Sequence, residues 1–141
     1  MAELNLLERV IALEGVDLLS GLEPDQMASI AMIASEVQYP PGRVVLEKGK
    51  PSDALYVVID GSVQLTRDAQ PMDTAGANTV LGVWALWNEN ERAPFGATAR
   101  EDTRLLRIGR EEFYDLLADN SDITAAILSK LMQRFEKLVE Q

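Results

Sequence analysis

A chain of 141 residues, 47% of them hydrophobic and 26% charged, is long enough to bury one substantial core and has ordinary globular composition. It contains neither histidine nor cysteine, which excludes His-ligated metal sites, histidine acid–base chemistry, disulfides and thiol chemistry within these residues. Its formal charge of −10 argues against direct contact with nucleic acid or an anionic membrane, each of which needs a basic face.

The N-terminal third reads as helical. Leu6, Leu7, Val10, Ile11 and Leu13 recur at helical spacing, Gly15 weakens continuation, and Ser20-Gly21 marks a break. A second helix starts at Pro24, a residue favoured where its missing N–H would have no partner anyway. Met27, Ile30, Ala31 and Ala34 give it one apolar stripe, and it is expected to end near Glu36. At Val37 the pattern changes to short β-type runs punctuated by glycine. Arg43–Lys48 follows the turn Pro40-Pro41-Gly42, and Leu55–Ile59 is a continuous apolar run of the kind covered on both faces. Asp60-Gly61 follows, among the strongest short-range hairpin signals, and Val63 and Leu65 then alternate with polar residues. Residues 68–79 read as a loop or weak edge strand, and Ala97–Ala99 and Arg104–Ile108 as two further strands. Helix returns at Arg110 with Phe113, Leu116 and Leu117, and a last helix from Asp122 carries Ile127, Leu131, Phe135 and Leu138.

The fold class expected is α+β: a small β-roll or jelly-roll barrel of about eight short strands, flanked by N- and C-terminal helices. The chain is read as a single domain, with helices in 1–36, the roll in 37–109 and helices in 110–141. Arg100, Arg104, Arg107 and Arg110 interleave with Glu101, Asp102, Glu111 and Glu112, the pattern of a solvated, mutually paired surface. No apolar run approaches the roughly 20 residues that span a bilayer, so no membrane insertion is expected. The opening MAELNLLERV has no basic n-region, so no secretory signal is expected, and the location expected is cytoplasmic.

Residues 42–63, GRVVLEKGKPSDALYVVIDGSV, closely resemble the first signature of the cyclic nucleotide-binding domain family. Gly42, Gly49 and Gly61 fall at the family's turn positions, with Asp53, Leu55 and Tyr56 between them. The segments GVDLLSGLEPDQMASIA and EDTRLLRIGREEFYDLLADN are similar to the family's N-terminal helices and to its last strand and following helix. The resemblance implies that VLGVWALWNENERAPF, residues 80–95, is the phosphate-binding cassette. In the family, a short helix after a glycine aims its N–H groups at the cyclic phosphate, a glutamate accepts from the ribose 2′-OH, and an arginine pairs with the phosphate. Leu81, Gly82, Ala85 and Leu86 match, and Arg92, followed by the small Ala93, lies ten positions beyond Gly82. Val83 stands where the family has its glutamate, Asn78-Thr79 replaces Gly-Asp, and RAPFGATA is one residue longer and carries Pro94 and Gly96. The cassette therefore reads as degenerate. The ligand-binding residues it implies are Gly82, Val83, Trp84, Ala85, Arg92 and Ala93.

Several alternatives stay open on these residues. Arg92 is either an anion anchor or a surface arginine paired with Glu89 or Glu91. Trp84 and Trp87 either wall a nucleobase or fill the space it would take. Asp53 is a turn-former or a site residue, and the helix over 122–140 is a homodimer seam or packs on the roll. The functions implied are a non-catalytic regulatory domain with weak, altered or lost cyclic nucleotide binding, an intact cAMP or cGMP effector domain of a larger regulator or transporter, or a ligand-free protein–protein module. A metal-dependent enzyme of the cupin kind would draw on histidines, so no enzyme and no cofactor are expected. The partner expected is a small anionic ligand, with fusion to a larger regulated protein or self-association also open. Transcription-factor members carry a helix-turn-helix beyond the long helix, so direct DNA binding is not expected of these residues.

Overall fold

The computed structural model describes residues 3–86 and 88–140. Those residues divide into two compact units, one formed by the chain up to Ile33 together with the chain from Glu112, the other by Ala34–Glu111. Among the described residues no helix is long and apolar enough to cross a membrane.

In the helical unit, α1 (Leu6–Glu14) begins at a reciprocal cap: Glu8 N–H donates to Asn5 Oδ1 at 2.8 Å, and Asn5 N–H donates to Glu8 Oε1 at 3.1 Å. It stops at Gly15, and a short 3-10 turn, Asp17–Leu19, leads to α2 (Pro24–Ile33). Leu13, Val16, Leu18, Leu19, Met27, Ile30 and Ala31 are buried, as are Phe113, Ile123 and Ile127 of the C-terminal helices. Those helices are α3 (Arg110–Asp119) and α4 (Ser121–Glu140). Gln26 Nε2 ties α2 to α4 by donating to Asp122 Oδ2 at 2.8 Å, and Asp17 forms ion pairs with Lys130 and Arg134.

Helix α2 ends three residues before the position expected from its stripe. Ser35 and Glu36 are drawn into β1 (Ser35–Tyr39), where Glu36 pairs in register with Leu106 and its carboxylate meets Arg104 at 3.1 Å. Ladder hydrogen bonds and that ion pair override a weak helical preference.

Among the described residues the β unit holds eight strands in two antiparallel four-stranded sheets, ordered β1-β8-β3-β6 and β2-β7-β4-β5. The remaining strands are β2 (Val44–Leu46), β3 (Ala54–Asp60), β4 (Val63–Arg67), β5 (Gln70–Ala75), β6 (Val80–Leu81), β7 (Gly96–Ala99) and β8 (Thr103–Gly109). Leu46, Tyr56, Val58, Val63, Ala75, Leu81, Ala97 and Leu105, drawn from both sheets, close one core. Strand β3 is buried from Ala54 to Val58, as a run covered on both faces requires. Gly42, Gly49 and Gly61 all adopt left-handed φ, at 89°, 84° and 91°.

Two expectations are corrected here. Asp60-Gly61 turns the chain, but β3 and β4 belong to different sheets, so it is a crossing and not a hairpin. The hairpin lies one strand later, where Arg67 pairs with Gln70 across Asp68-Ala69 and both loop residues have positive φ, 52° and 66°. The arginine cluster is paired across strands, not along the chain. Arg104 Nη2 meets Asp60 at 2.7 Å and Nη1 meets Glu36, while Arg107 Nη2 meets Asp53 at 2.9 Å.

Candidate functional site

Strand β6 leads into the cassette. Asn78 takes a left-handed φ of 71°, a conformation asparagine tolerates better than most side chains, and its N–H donates to the Val58 carbonyl at 2.8 Å. Val58 N–H donates to the Thr79 carbonyl at 2.9 Å, so the approach is pinned from both sides. The polar pair Asn78-Thr79 thus makes the turn into β6.

At Gly82 the chain turns with φ 81°, and a Cβ there would meet the Ala54 carbonyl oxygen at 3.1 Å. Only glycine satisfies both constraints without strain. A 3-10 turn, Val83–Leu86, follows at once, with Ala85 N–H donating to the Gly82 carbonyl at 2.9 Å. The leading N–H groups of Val83 and Trp84 have no backbone acceptor among the described residues, as expected of a helix start. Ala85 and Leu86 are buried and anchor the turn.

The far end of the turn is held by Arg110, which sequence reasoning had placed in a solvated cluster. Its Nη1 donates to the Ala85 carbonyl at 2.7 Å and to the Ser52 carbonyl at 3.1 Å. Nothing in the spacing of the arginines marks this one as different. Its role follows from the strand β8 ladder, which brings residue 110 beside residue 53: Arg110 N–H donates to the Asp53 carbonyl at 2.8 Å.

Trp84 packs its ring edge-on against Phe95, with centroids 5.6 Å apart and planes at 83°, and lies against the core between the two sheets. Its indole Nε1 is buried and has no hydrogen-bond partner among the described residues. Phe95 was not anticipated as a site residue. It belongs to the lengthened segment before β7; Pro94 lies ahead of the strand, whereas Gly96, expected to weaken it, is its first residue and pairs with Thr66. Trp87 lies outside the described residues.

Arg92 follows neither of the pairings with Glu89 or Glu91. Its Nη1 donates to the Gly49 carbonyl at 2.7 Å, while Glu91 accepts from Asn88 Nδ2 at 3.4 Å. The neighbouring Ala93 is buried and bonded on both sides, accepting from Gly49 N–H and donating to the Lys50 carbonyl, each at 2.9 Å. Gly49 therefore supplies a turn and also the carbonyl on which Arg92 rests. Asp53 is both a turn residue and an ion partner, bonded through its carboxylate to Arg107. Arg107 also reaches Tyr56, which faces Tyr39. Burial, and then the neighbouring Tyr39, raise the Tyr56 pKa above the ordinary tyrosine value, with Arg107 pulling the other way.

A separate open cleft of about 500 Å³ is bounded by residues of β2, the loop from Lys50 to Asp53, Tyr56, Glu89 and Arg110. It shares Glu89 with the cassette, and Arg110 with the residues that hold the turn, but none of Gly82–Leu86 and not Arg92. Among the described residues no group of three or more metal-type side chains gathers.

Residues 36–120 match the family described as the cyclic nucleotide-binding domain. The chain belongs to that family. A regulatory subunit of cAMP-dependent protein kinase from Aspergillus fumigatus is 34% identical over 113 residues, 79% of this chain and 27% of that subunit. A CRP-like cAMP-activated global transcriptional regulator from Mycobacterium tuberculosis is 24% identical over 136 residues, 93% of this chain and 59% of the regulator. The chain thus spans less than two thirds of either relative. Among solved structures, the N-terminal domain of a transcriptional regulator from Streptomyces coelicolor matches with a TM-score of 0.84 and 25% identity, over 92% of this chain and 93% of that one. The cyclic nucleotide-binding fold is therefore shared over nearly the full length.

Proposed function

We propose that this cyclic nucleotide-binding domain is the non-catalytic, ligand-sensing part of a cytoplasmic regulator, and that it takes cAMP or cGMP at the Gly82–Ala85 turn with a weakened grip on the sugar. The observation that carries this is the turn itself: Gly82 at φ 81° followed by two leading N–H groups, an arrangement suited to phosphate oxygens. Relatives named for cAMP regulation support the ligand class. Arg92, exposed and held only by the Gly49 carbonyl among its described bonds, is the cation that would turn to the phosphate, exchanging a neutral acceptor for a charged one.

Val83 offers no acceptor to a sugar hydroxyl. Leaving such a group unpaired costs about 1–3 kcal/mol, roughly tenfold to more than a hundredfold in affinity. Calorimetric titration with cAMP and cGMP tests the reading. Saturable heat is expected, reduced by Arg92→Ala and increased about tenfold or more by Val83→Glu. Absence of saturable heat with both nucleotides overturns it. One observation favours a second reading, a ligand-free protein-contact module: Trp84 and Phe95 fill space against the inner core. In that case Val83→Glu adds a half-buried charge and lowers stability without creating binding.

A further inference from the structure

The polar side chains that border the open cleft can be followed to their partners one by one. Lys50 pairs with Glu47 at 3.3 Å, and Asp53 pairs with Arg107 at 2.9 Å. The Ser52 hydroxyl donates to the Ala54 carbonyl at 3.0 Å and accepts from Ala54 N–H at 3.3 Å. The Tyr56 phenol bonds with Tyr39 and Arg107. Arg110 and Glu89 are left.

Arg110 is half-buried, and Nη1 gives both of its hydrogen bonds among the described residues, to the Ser52 and Ala85 carbonyls. Those bonds hold the guanidinium in place, but both acceptors are neutral. Arg104 and Arg107 each meet a carboxylate; Arg110 meets none among the described residues. Its Nε and Nη2 remain, the edge that grips a carboxylate with two parallel bonds. Glu89 is exposed and has no partner among the described residues either. Two opposite charges thus border one cleft without closing on each other, and Val44, Val45 and Pro51 give it an apolar wall. A simple anion would suit Arg110 but face Glu89 and a chain of charge −10, and a simple cation would face Arg110. A ligand carrying both charges answers both groups.

We propose that this cleft is a ligand site distinct from the cassette, and that it takes a small aliphatic zwitterion. The carboxylate sits on the Arg110 fork, the ammonium turns to Glu89, and the side chain lies against Val44, Val45 and Pro51. At about 500 Å³ the cleft falls within the roughly 300–1,000 Å³ span of small-molecule sites. A free amino acid and a dipeptide share this chemistry and differ in the distance between their two charges. The site does not depend on nucleotide binding, since its lining includes none of Gly82–Leu86 and not Arg92.

Calorimetric titration of the full chain with L-leucine and with L-leucyl-L-leucine tests this, and the tighter of the two gives the span. Saturable heat is expected from at least one of them at millimolar concentration. Acetylating the amine of that ligand removes its ammonium and should weaken it about threefold, the worth of an exposed ion pair. Amidating its carboxylate should weaken it about tenfold or more, because the guanidinium loses a charge-assisted partner. Glu89→Gln should weaken the free ligand about threefold, leave the acetylated form unchanged and keep the thermal midpoint where it was. Arg110→Gln keeps donors for the two carbonyls and should weaken the free ligand about tenfold or more. Should that variant fail to fold, Glu89→Gln and the two blocked ligands decide. No saturable heat from either ligand overturns the proposal. So does a blocked form that binds as tightly as the free one, or an affinity for the free ligand that Glu89→Gln leaves unchanged.

Discussion

A Cβ built on Gly61 would lie 2.6 Å from the Asp102 carbonyl oxygen and from Thr103 Oγ1, so the crossing between sheets closes only over glycine. Thr103, buried at 2% exposure, completes that corner by donating to the Ser62 and Glu101 carbonyls and accepting from Ser62 N–H. Tyr56 is a comparable single-residue commitment with a measurable consequence. Burial favours its neutral form, so the folded protein holds this proton after an unfolded tyrosine, near pH 10, has lost it. The folded state binds more protons than the unfolded state in that window. Stability is therefore intact below about pH 10 and falls as pH rises through the folded value. Alkaline titration of phenolate absorbance should show one of the three tyrosines ionising late. Tyr56→Phe should remove the late step and flatten the alkaline loss of stability; three tyrosines titrating together would contradict this.

At the scale of elements, the β4–β5 hairpin carries its own strain. Ala69 holds φ at 66° in a two-residue loop, where a side chain with a Cβ costs about 1 kcal/mol or more. Ala69→Gly should raise stability by roughly 0.5–1 kcal/mol, since part of the gain is offset by glycine's greater freedom when unfolded. Urea denaturation measures it, and a loss of stability would mean that the loop is not strained. The same loop shows where the sequence misleads. Asp60-Gly61 has the better hairpin composition, but each flanking strand pairs with a different neighbour, a choice made by the two-sheet core and not by the turn. Asp68-Ala69 lacks glycine and opens a segment that reads as a loop or weak edge strand; from Gln70 it is the edge strand β5. The strand run from Leu55, the left-handed glycines and the helix start at Pro24 were legible because local sterics and periodicity fix them. Arg110 and the cross-strand partners of Arg104 and Arg107 were not, because their roles depend on register between segments about 25 to 70 residues apart in the chain. Within the cassette, Gly82 and the apolar residue at Val83 could be read directly, whereas the packing of Trp84 on Phe95 could not.

For the whole molecule, the decisive surface is α4. Ile123 and Ile127 are buried, but Leu128, Met132, Phe135, Leu138 and Val139 are between 54% and 69% exposed. With the half-buried Leu131 they recur at alternating spacings of three and four, the stripe by which one helix seats against an equal helix. No charge interrupts the stripe, and Lys130 and Arg134 are drawn to Asp17. Five large side chains at that exposure offer roughly 500 Å² per copy, so a symmetric pair covers about 1,000 Å², the threshold for a specific interface. We therefore expect a homodimer along α4, formed despite a charge of −10 per chain because α4 itself is nearly neutral along this face. Sedimentation equilibrium should give a dimer at micromolar concentration. Phe135→Glu places a carboxylate in the seam of both copies, where burying it unpaired is costly, and should yield a monomer with unchanged helix content. The dimer should also tighten with salt, since added ions screen the repulsion between two acidic chains and leave the apolar contact in place. A wild-type chain that sediments as a monomer across that range would show that α4 is not a seam between copies.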